Sequence, residues 1–123
     1  MAIRVGVDIV NITRIERIIT RYPQRFLDRV LSIREKELFT ARGSKIETLA
    51  AAFAAKEAVL KAIGCGIGPA ALNEIEVLAP GGRQPQVKLK GITAQMAREK
   101  HINGISISMS HEPPYACAIA AAY

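Results

Sequence analysis

Tryptophan is absent from this chain, and its aromatic side chains stop at three tyrosines and three phenylalanines. Any core must therefore be mostly aliphatic. Aromatic platforms for stacking nucleic-acid bases are also missing, and no RRM, KH or OB signature occurs, which weighs against an RNA-binding module. Cysteine is as scarce: Cys65 and Cys117 lie far apart and match no zinc or redox spacing, so they read as free thiols of a reducing compartment. Histidine occurs only at positions 101 and 111, too few for a zinc site. There is no signal-peptide core and no 18-residue apolar run, so the expectation is a soluble, cytoplasmic protein without a membrane partner. Repeats, low-complexity tracts and linkers are lacking too, and residues 1–123 read as one domain.

What is present is an apolar half of 123 residues, enough for a sizeable core, and a formal charge of +6. The positive excess is local. Between residues 12 and 34 stand Arg14, Arg17, Arg21, Arg25, Arg29 and Arg34 against only Glu16 and Asp28. That sign calls for an acidic partner: nucleic acid, anionic lipid, a phosphorylated cofactor or an acidic protein.

The pattern along the chain alternates strands and helices in an α+β order. Residues 3–10 alternate as a strand with Ile3, Val5, Val7 and Ile9 on one face and Asp8 on the other, near its end. Asp8 reads either as a cap for the next helix, a role open to Asn11 and Thr13 as well, or as an acid aimed at a ligand. A helix over 13–22 puts Ile12, Ile15, Ile18, Ile19 and Tyr22 on its apolar side. Arg14, Arg17 and Arg21 line the opposite stripe, and Pro23 ends the helix. Arginine rather than lysine suits bidentate docking of carboxylates or phosphates. Short helices follow over 26–31 and 33–42, the second opened by a capping box at Ser32-Ile-Arg-Glu35. After the central helix comes a glycine-rich loop, Gly64-Cys-Gly-Ile-Gly-Pro69, which is not a Walker A pattern. A hairpin over 73–79 and 86–90 turns at Pro80-Gly-Gly82, a helix covers 92–100, and strands cover 105–112 and 115–123 around Pro113-Pro114. In the first of these last strands Ile105, Ile107 and Met109 face inward and three serines face outward. Together these elements predict a mainly antiparallel sheet packed on a long buried helix.

That helix, 45–63, has neither proline nor glycine, and Gly64 is placed to end it. From Leu49 to Ile63 its only polar side chains are Lys56, Glu57 and Lys61. A helix apolar on nearly every side is buried in a core or between subunits, and charges on it need partners. One reading is an ordinary Glu57–Lys61 pair at i, i+4 with Lys56 snorkelling outward. The sharper reading has Glu57 and Lys61 facing a polyanion plus a cation. With Asp8 as a second carboxylate, the oxygen donors suit Mg²⁺, which keeps waters and is completed by phosphate oxygens. Ser110-His111-Glu112 closes a strand, where spacing alone does not separate a turn histidine from a catalytic one.

Three segments resemble the signatures of the short 4′-phosphopantetheinyl transferases, the holo-acyl-carrier-protein synthases. They are Gly6-Val-Asp8-Ile-Val-Asn-Ile-Thr-Arg14-Ile15, Phe53-Ala-Ala-Lys56-Glu57-Ala-Val-Leu-Lys61-Ala-Ile-Gly64, and Ser108-Met-Ser110-His111-Glu112 with Tyr115-Ala116. The resemblance implies the fold of that family and transfer of phosphopantetheine from coenzyme A to a serine of apo-acyl carrier protein. It implies that Asp8 and Glu57 hold Mg²⁺ and that Lys61 neutralises phosphate charge. Gly64 opens the cofactor loop, Ser110 and His111 line the nucleotide pocket, and Arg14, Arg17 and Arg21 dock the carrier protein. It also implies a homotrimer with sites between subunits. The base that deprotonates the serine stays open among a metal-bound water, Glu57 and His111. Cys65 stands where many relatives have threonine.

Overall fold

The computed structural model describes residues 2–65, 72–79 and 84–123. The glycine-rich loop beyond Cys65 and the Pro80-Gly-Gly82 turn therefore lie outside the described residues. Strand β1 spans Arg4–Asn11, followed by helices α1 Ile12–Arg21, α2 Pro23–Val30, α3 Ile33–Ala41 and α4 Ile46–Ile63. A 3-10 turn at Leu72–Glu74 leads into β2 Ile75–Leu78; β3 Gln86–Leu89, α5 Gly91–Glu99, β4 Ile105–Glu112 and β5 Tyr115–Ala122 complete the order.

Local chemistry accounts for the boundaries. Asn11, not Asp8, caps α1: its Oδ1 accepts from the Thr13 amide at 2.9 Å and the Arg14 amide at 3.4 Å. Pro23 does more than end α1. It is the first residue of α2, where its missing N–H costs nothing, so that helix begins three residues earlier than its apolar pattern predicts. The capping box at Ser32 and Glu35 is formed in both directions. Gly64 ends α4 in the left-handed region, at φ 85°.

The strands form two antiparallel sheets: β1-β5-β4 and the hairpin β2-β3. In the larger sheet Gly6 lies opposite Ala120 and Asp8 opposite Ala118, while Ile107 and Met109 of β4 face the same two alanines from the other side. This inner face is lined by Ala116, Ala118, Ala120 and Ala122 and packs on α4, whose Ala50, Ala54, Ala58 and Ala62 are buried. Small residues on both partners let backbones approach. Gly6 is the extreme case: a Cβ there would lie 2.1 Å from the Ala58 carbonyl oxygen.

The consequence for β1 differs from the plain reading of its alternation. Its branched side chains point away from α4, and Val5, Val7 and Ile9 are 62–65% exposed in the single chain. Asp8, Gly6 and Val10 occupy the helix-facing side, and Asp8 sits mid-strand because pairing continues to Asn11.

Candidate functional site

The close approach of β1 to α4 puts Asp8 within reach of a helix that carries only three charges past its first turn. Lys61 Nζ donates to Asp8 Oδ1 at 3.1 Å and to the Val7 carbonyl at 2.9 Å. Lys61 thus pairs across 53 residues with the strand, and the expected i, i+4 pair with Glu57 is not made as a hydrogen bond. Glu57 lies one turn back, half-buried. Its carboxyl is held above the usual range, chiefly by burial and then by the negative charge of Asp8, against the pull of Lys61. No described residue donates a hydrogen bond to it.

Two carboxylates and one ammonium leave this corner short of positive charge. The donor set, oxygens only, fits a hard divalent cation of the Mg²⁺ type that retains waters and takes its remaining ligands from phosphate. It does not fit zinc: among the described residues no three His, Cys, Asp or Glu side chains are grouped to hold a metal.

Lys56 belongs elsewhere. It does not snorkel but is fully buried, at 0% exposure, on the opposite side of α4. Its Nζ donates to Glu35 Oε1 at 2.6 Å, to the Val30 carbonyl at 2.6 Å and to the Leu72 carbonyl at 3.2 Å. Burial still pushes its pKa down, opposed by Glu35 and more weakly by Glu76. Glu35 is itself shared: Oε1 also accepts from the Ser32 amide and Oε2 from the Val77 amide. Neighbouring Glu76 accepts from the Ser32 hydroxyl at 2.7 Å and from Lys90 at 3.1 Å. This network fastens α2, α3 and β2 to α4 and so fixes the rotation that turns Glu57 and Lys61 toward β1.

Ser110 and His111 are not brought against Asp8. They lie at the far edge of the sheet, with β5 between β4 and β1, so two strand spacings of roughly 10 Å separate the groups. Alternation splits them as well: His111 shares the helix-facing side, opposite Ala116, while Ser110 points to the outer face opposite Cys117. Both border a cavity of about 380 Å³ together with Ile9, Tyr115 and Cys117. Gly64 stands at the end of α4, where Lys100 Nζ donates to the Ile63 carbonyl at 2.6 Å.

Arg14, Arg17 and Arg21 are exposed along one side of α1, opposite buried Ile15. Among the described residues the ion pairs are Lys36–Asp28, Lys56–Glu35, Lys61–Asp8 and Lys90–Glu76. Each uses a lysine and none an arginine.

The α+β fold thus brings Asp8, Glu57 and Lys61 together where β1 meets α4 and leaves Arg14, Arg17 and Arg21 exposed on α1. Residues 4–120 match the family model described as the 4′-phosphopantetheinyl transferase superfamily. The chain is 44% identical over 115 residues to the holo-acyl-carrier-protein synthase of Moorella thermoacetica, covering 94% of this chain and 89% of that protein. It is 40% identical over 118 residues to the synthase of Alkaliphilus metalliredigens, covering 96% of each. Among solved structures it resembles the Neisseria meningitidis synthase at a TM-score of 0.89 and 32% identity, over 98% of this chain and 97% of that one. The Helicobacter pylori synthase in complex with coenzyme A superposes at 0.84, also at 32% identity, over 97% and 99%. The chain belongs to the 4′-phosphopantetheinyl transferase superfamily, within its holo-acyl-carrier-protein synthase family.

Proposed function

We propose that this protein transfers the 4′-phosphopantetheine arm of coenzyme A to a serine of apo-acyl carrier protein. The products are holo-acyl carrier protein and adenosine 3′,5′-bisphosphate, in support of fatty acid synthesis in the cytoplasm. The observation that carries the reading is the meeting of Asp8, Glu57 and Lys61 at the contact of β1 with α4, in a chain of this family. In the reaction the serine oxygen bonds to the phosphorus bearing the pantetheine arm. The bond from that phosphorus to the bisphosphate oxygen breaks, and the hydroxyl proton is lost.

Such a transfer depends on positioning and charge neutralisation more than on covalent chemistry. Asp8 and Glu57 would hold Mg²⁺, which when bound supplies positive charge at the phosphate oxygens. Lys61, fixed through the Val7 carbonyl, presents its ammonium to the same phosphates and keeps Asp8 in place. Ser110 and His111 bind the nucleotide end beside the cavity they border. Gly64 begins the loop that approaches it, and Arg14, Arg17 and Arg21 receive the acidic carrier protein.

The separation of Ser110 and His111 from Asp8 supports sites shared between neighbouring subunits of the homotrimer the family resemblance implies, one chain supplying the carboxylates and its neighbour the nucleotide contacts. The exposed Val5, Val7, Ile9 and Ile119 on the outer sheet face supply an apolar surface for that assembly. The test is a mass gain of one phosphopantetheine on apo-acyl carrier protein, requiring this protein, coenzyme A and Mg²⁺. Failure of the mass to change defeats the activity; an undiminished gain in chelator defeats the metal site alone.

A further inference from the structure

The hinge between α1 and α2 carries an arrangement that the stripe of three arginines leaves out. Tyr22 caps both helices: its amide donates to the Ile18 carbonyl, and its own carbonyl accepts from the Phe26 amide at 3.0 Å. Backbone held from both sides fixes its Cα at the hinge, and Tyr22 is 46% exposed. The guanidinium of Arg21 lies 5.3 Å from the ring centroid and that of Arg25 lies 5.9 Å from it, so one tyrosine gathers cations from two helices. Arg25 stands in the first turn of α2, where the helix dipole disfavours a cation and where no acid offsets it. The acids of these two helices do not explain the cluster. Asp28 is taken by Lys36 at 2.6 Å and by Gln24, and no arginine here makes an ion pair among the described residues. Two like charges drawn together against local helix preference mark a place prepared for an anion outside the chain.

We propose that Tyr22 is a positioning residue for the carrier-protein reaction. It holds Arg21 and Arg25 as one cationic pair and so extends the docking face from α1 across the hinge onto α2. The partner is a protein segment bearing at least two carboxylates within the span of the pair. This rests on the docking role proposed above for Arg14, Arg17 and Arg21.

The test is steady-state kinetics on the full-length protein with apo-acyl carrier protein and coenzyme A varied in turn. Tyr22→Leu removes the ring face and is expected to raise the carrier-protein KM about three- to tenfold, leaving kcat and the coenzyme A KM within about twofold. Tyr22→Phe keeps the ring and should behave as wild type. Arg25→Gln should raise the same KM several-fold in wild type and by less than about twofold in the Tyr22→Leu background, since the ring acts through it. Thermal unfolding of each variant separates lost folding from lost docking. If Arg14→Glu raises the carrier-protein KM and Tyr22→Leu does not, the role of Tyr22 is refuted and the docking face stands. If both leave it unchanged, the face itself has been misread. Salt-sensitive RNA binding abolished by these substitutions, with carrier-protein kinetics unmoved, overturns the partner as well.

Discussion

Gly6→Ala adds one carbon at the point where β1 and α4 touch. The backbone at Gly6 is outside the left-handed region, so alanine brings no conformational strain and the cost is contact alone. The new Cβ would stand 2.1 Å from the Ala58 carbonyl oxygen, 2.7 Å from the Ala62 amide nitrogen and 2.9 Å from Lys61 Cβ. Two of those atoms are backbone of a buried helix and cannot step aside. Ordinary contact begins near 3.4 Å, so strand or helix must retreat by about 1.3 Å. Overpacking of this kind costs about 1–3 kcal/mol, which in a domain of this size lowers Tm by roughly 5–15 °C. The retreat is made at the site. Asp8 is two residues along β1 and Lys61 is among the atoms displaced, so their 3.1 Å pairing must open. A misplacement near 1 Å in a positioning-dependent reaction costs about 10²-fold in turnover. Urea unfolding and carrier-protein modification, measured on the same preparation, read the two effects. Stability unchanged to within about 0.5 kcal/mol would refute the direct backbone contact. Stability lost with turnover intact would refute the claim that this contact positions Asp8.

Lys56→Met should cost about 3–5 kcal/mol in urea unfolding, because it leaves the Glu35 carboxylate and two carbonyls buried without their cation; a loss below 1 kcal/mol would show that the network is dispensable. Glu57 is harder to ionise in the folded chain, so folded protein retains its proton more readily and stability falls as pH rises from the ordinary carboxylate value of 4.5 through the raised one. Metal-free Glu57→Gln should therefore gain in Tm over wild type as pH climbs through that window, and added Mg²⁺ should raise the Tm of wild type only; a difference independent of pH would contradict the electrostatic origin. Val7→Asp places a charge on the outer sheet face without touching α4, and it should reduce the particle mass seen by sedimentation if that face joins subunits; an unchanged mass would assign the assembly elsewhere.

How much of this was legible in the sequence depended on how far apart the partners are. Signals that act within a few residues came through: the capping box at Ser32 and Glu35, the left-handed end at Gly64, the alternation of β4 and the nearly all-apolar stretch of α4 from Leu49 on. The side of β1 that faces the core did not. Alternation marks two faces and does not say which is inside, and bulk is a poor guide where glycine and alanine make the closest contact. The start of α2 at Pro23 was hidden for a related reason, since proline reads as a stop until the next helix is known to begin on it.

The three charges of α4 past its first turn show why the candidate site was easier to mark than its wiring. Their presence on an apolar helix signals that each must be compensated, and one period of sequence contains that signal. The compensation lies far away: Glu35 for Lys56, 21 residues back, and Asp8 for Lys61, 53 residues back. Glu35 was also already accounted for by its capping box, which concealed that the same oxygen serves a buried ammonium. What then separates a structural charge from a functional one is whether the account closes inside the chain. Lys56 has three acceptors and no exposure, so nothing further can reach it and its effect is on stability. Glu57 has burial and a neighbouring carboxylate against it and a single lysine in its favour, a deficit that a cation from outside would remove. The arginines of α1 and α2 show the opposite deficit, positive charge without an acid, and it lies on a surface open to a macromolecule. An enzyme that joins a phosphate cofactor to an acidic protein needs both deficits at once. They are placed on two elements, α4 and α1, that contact each other and the Asp8 strand.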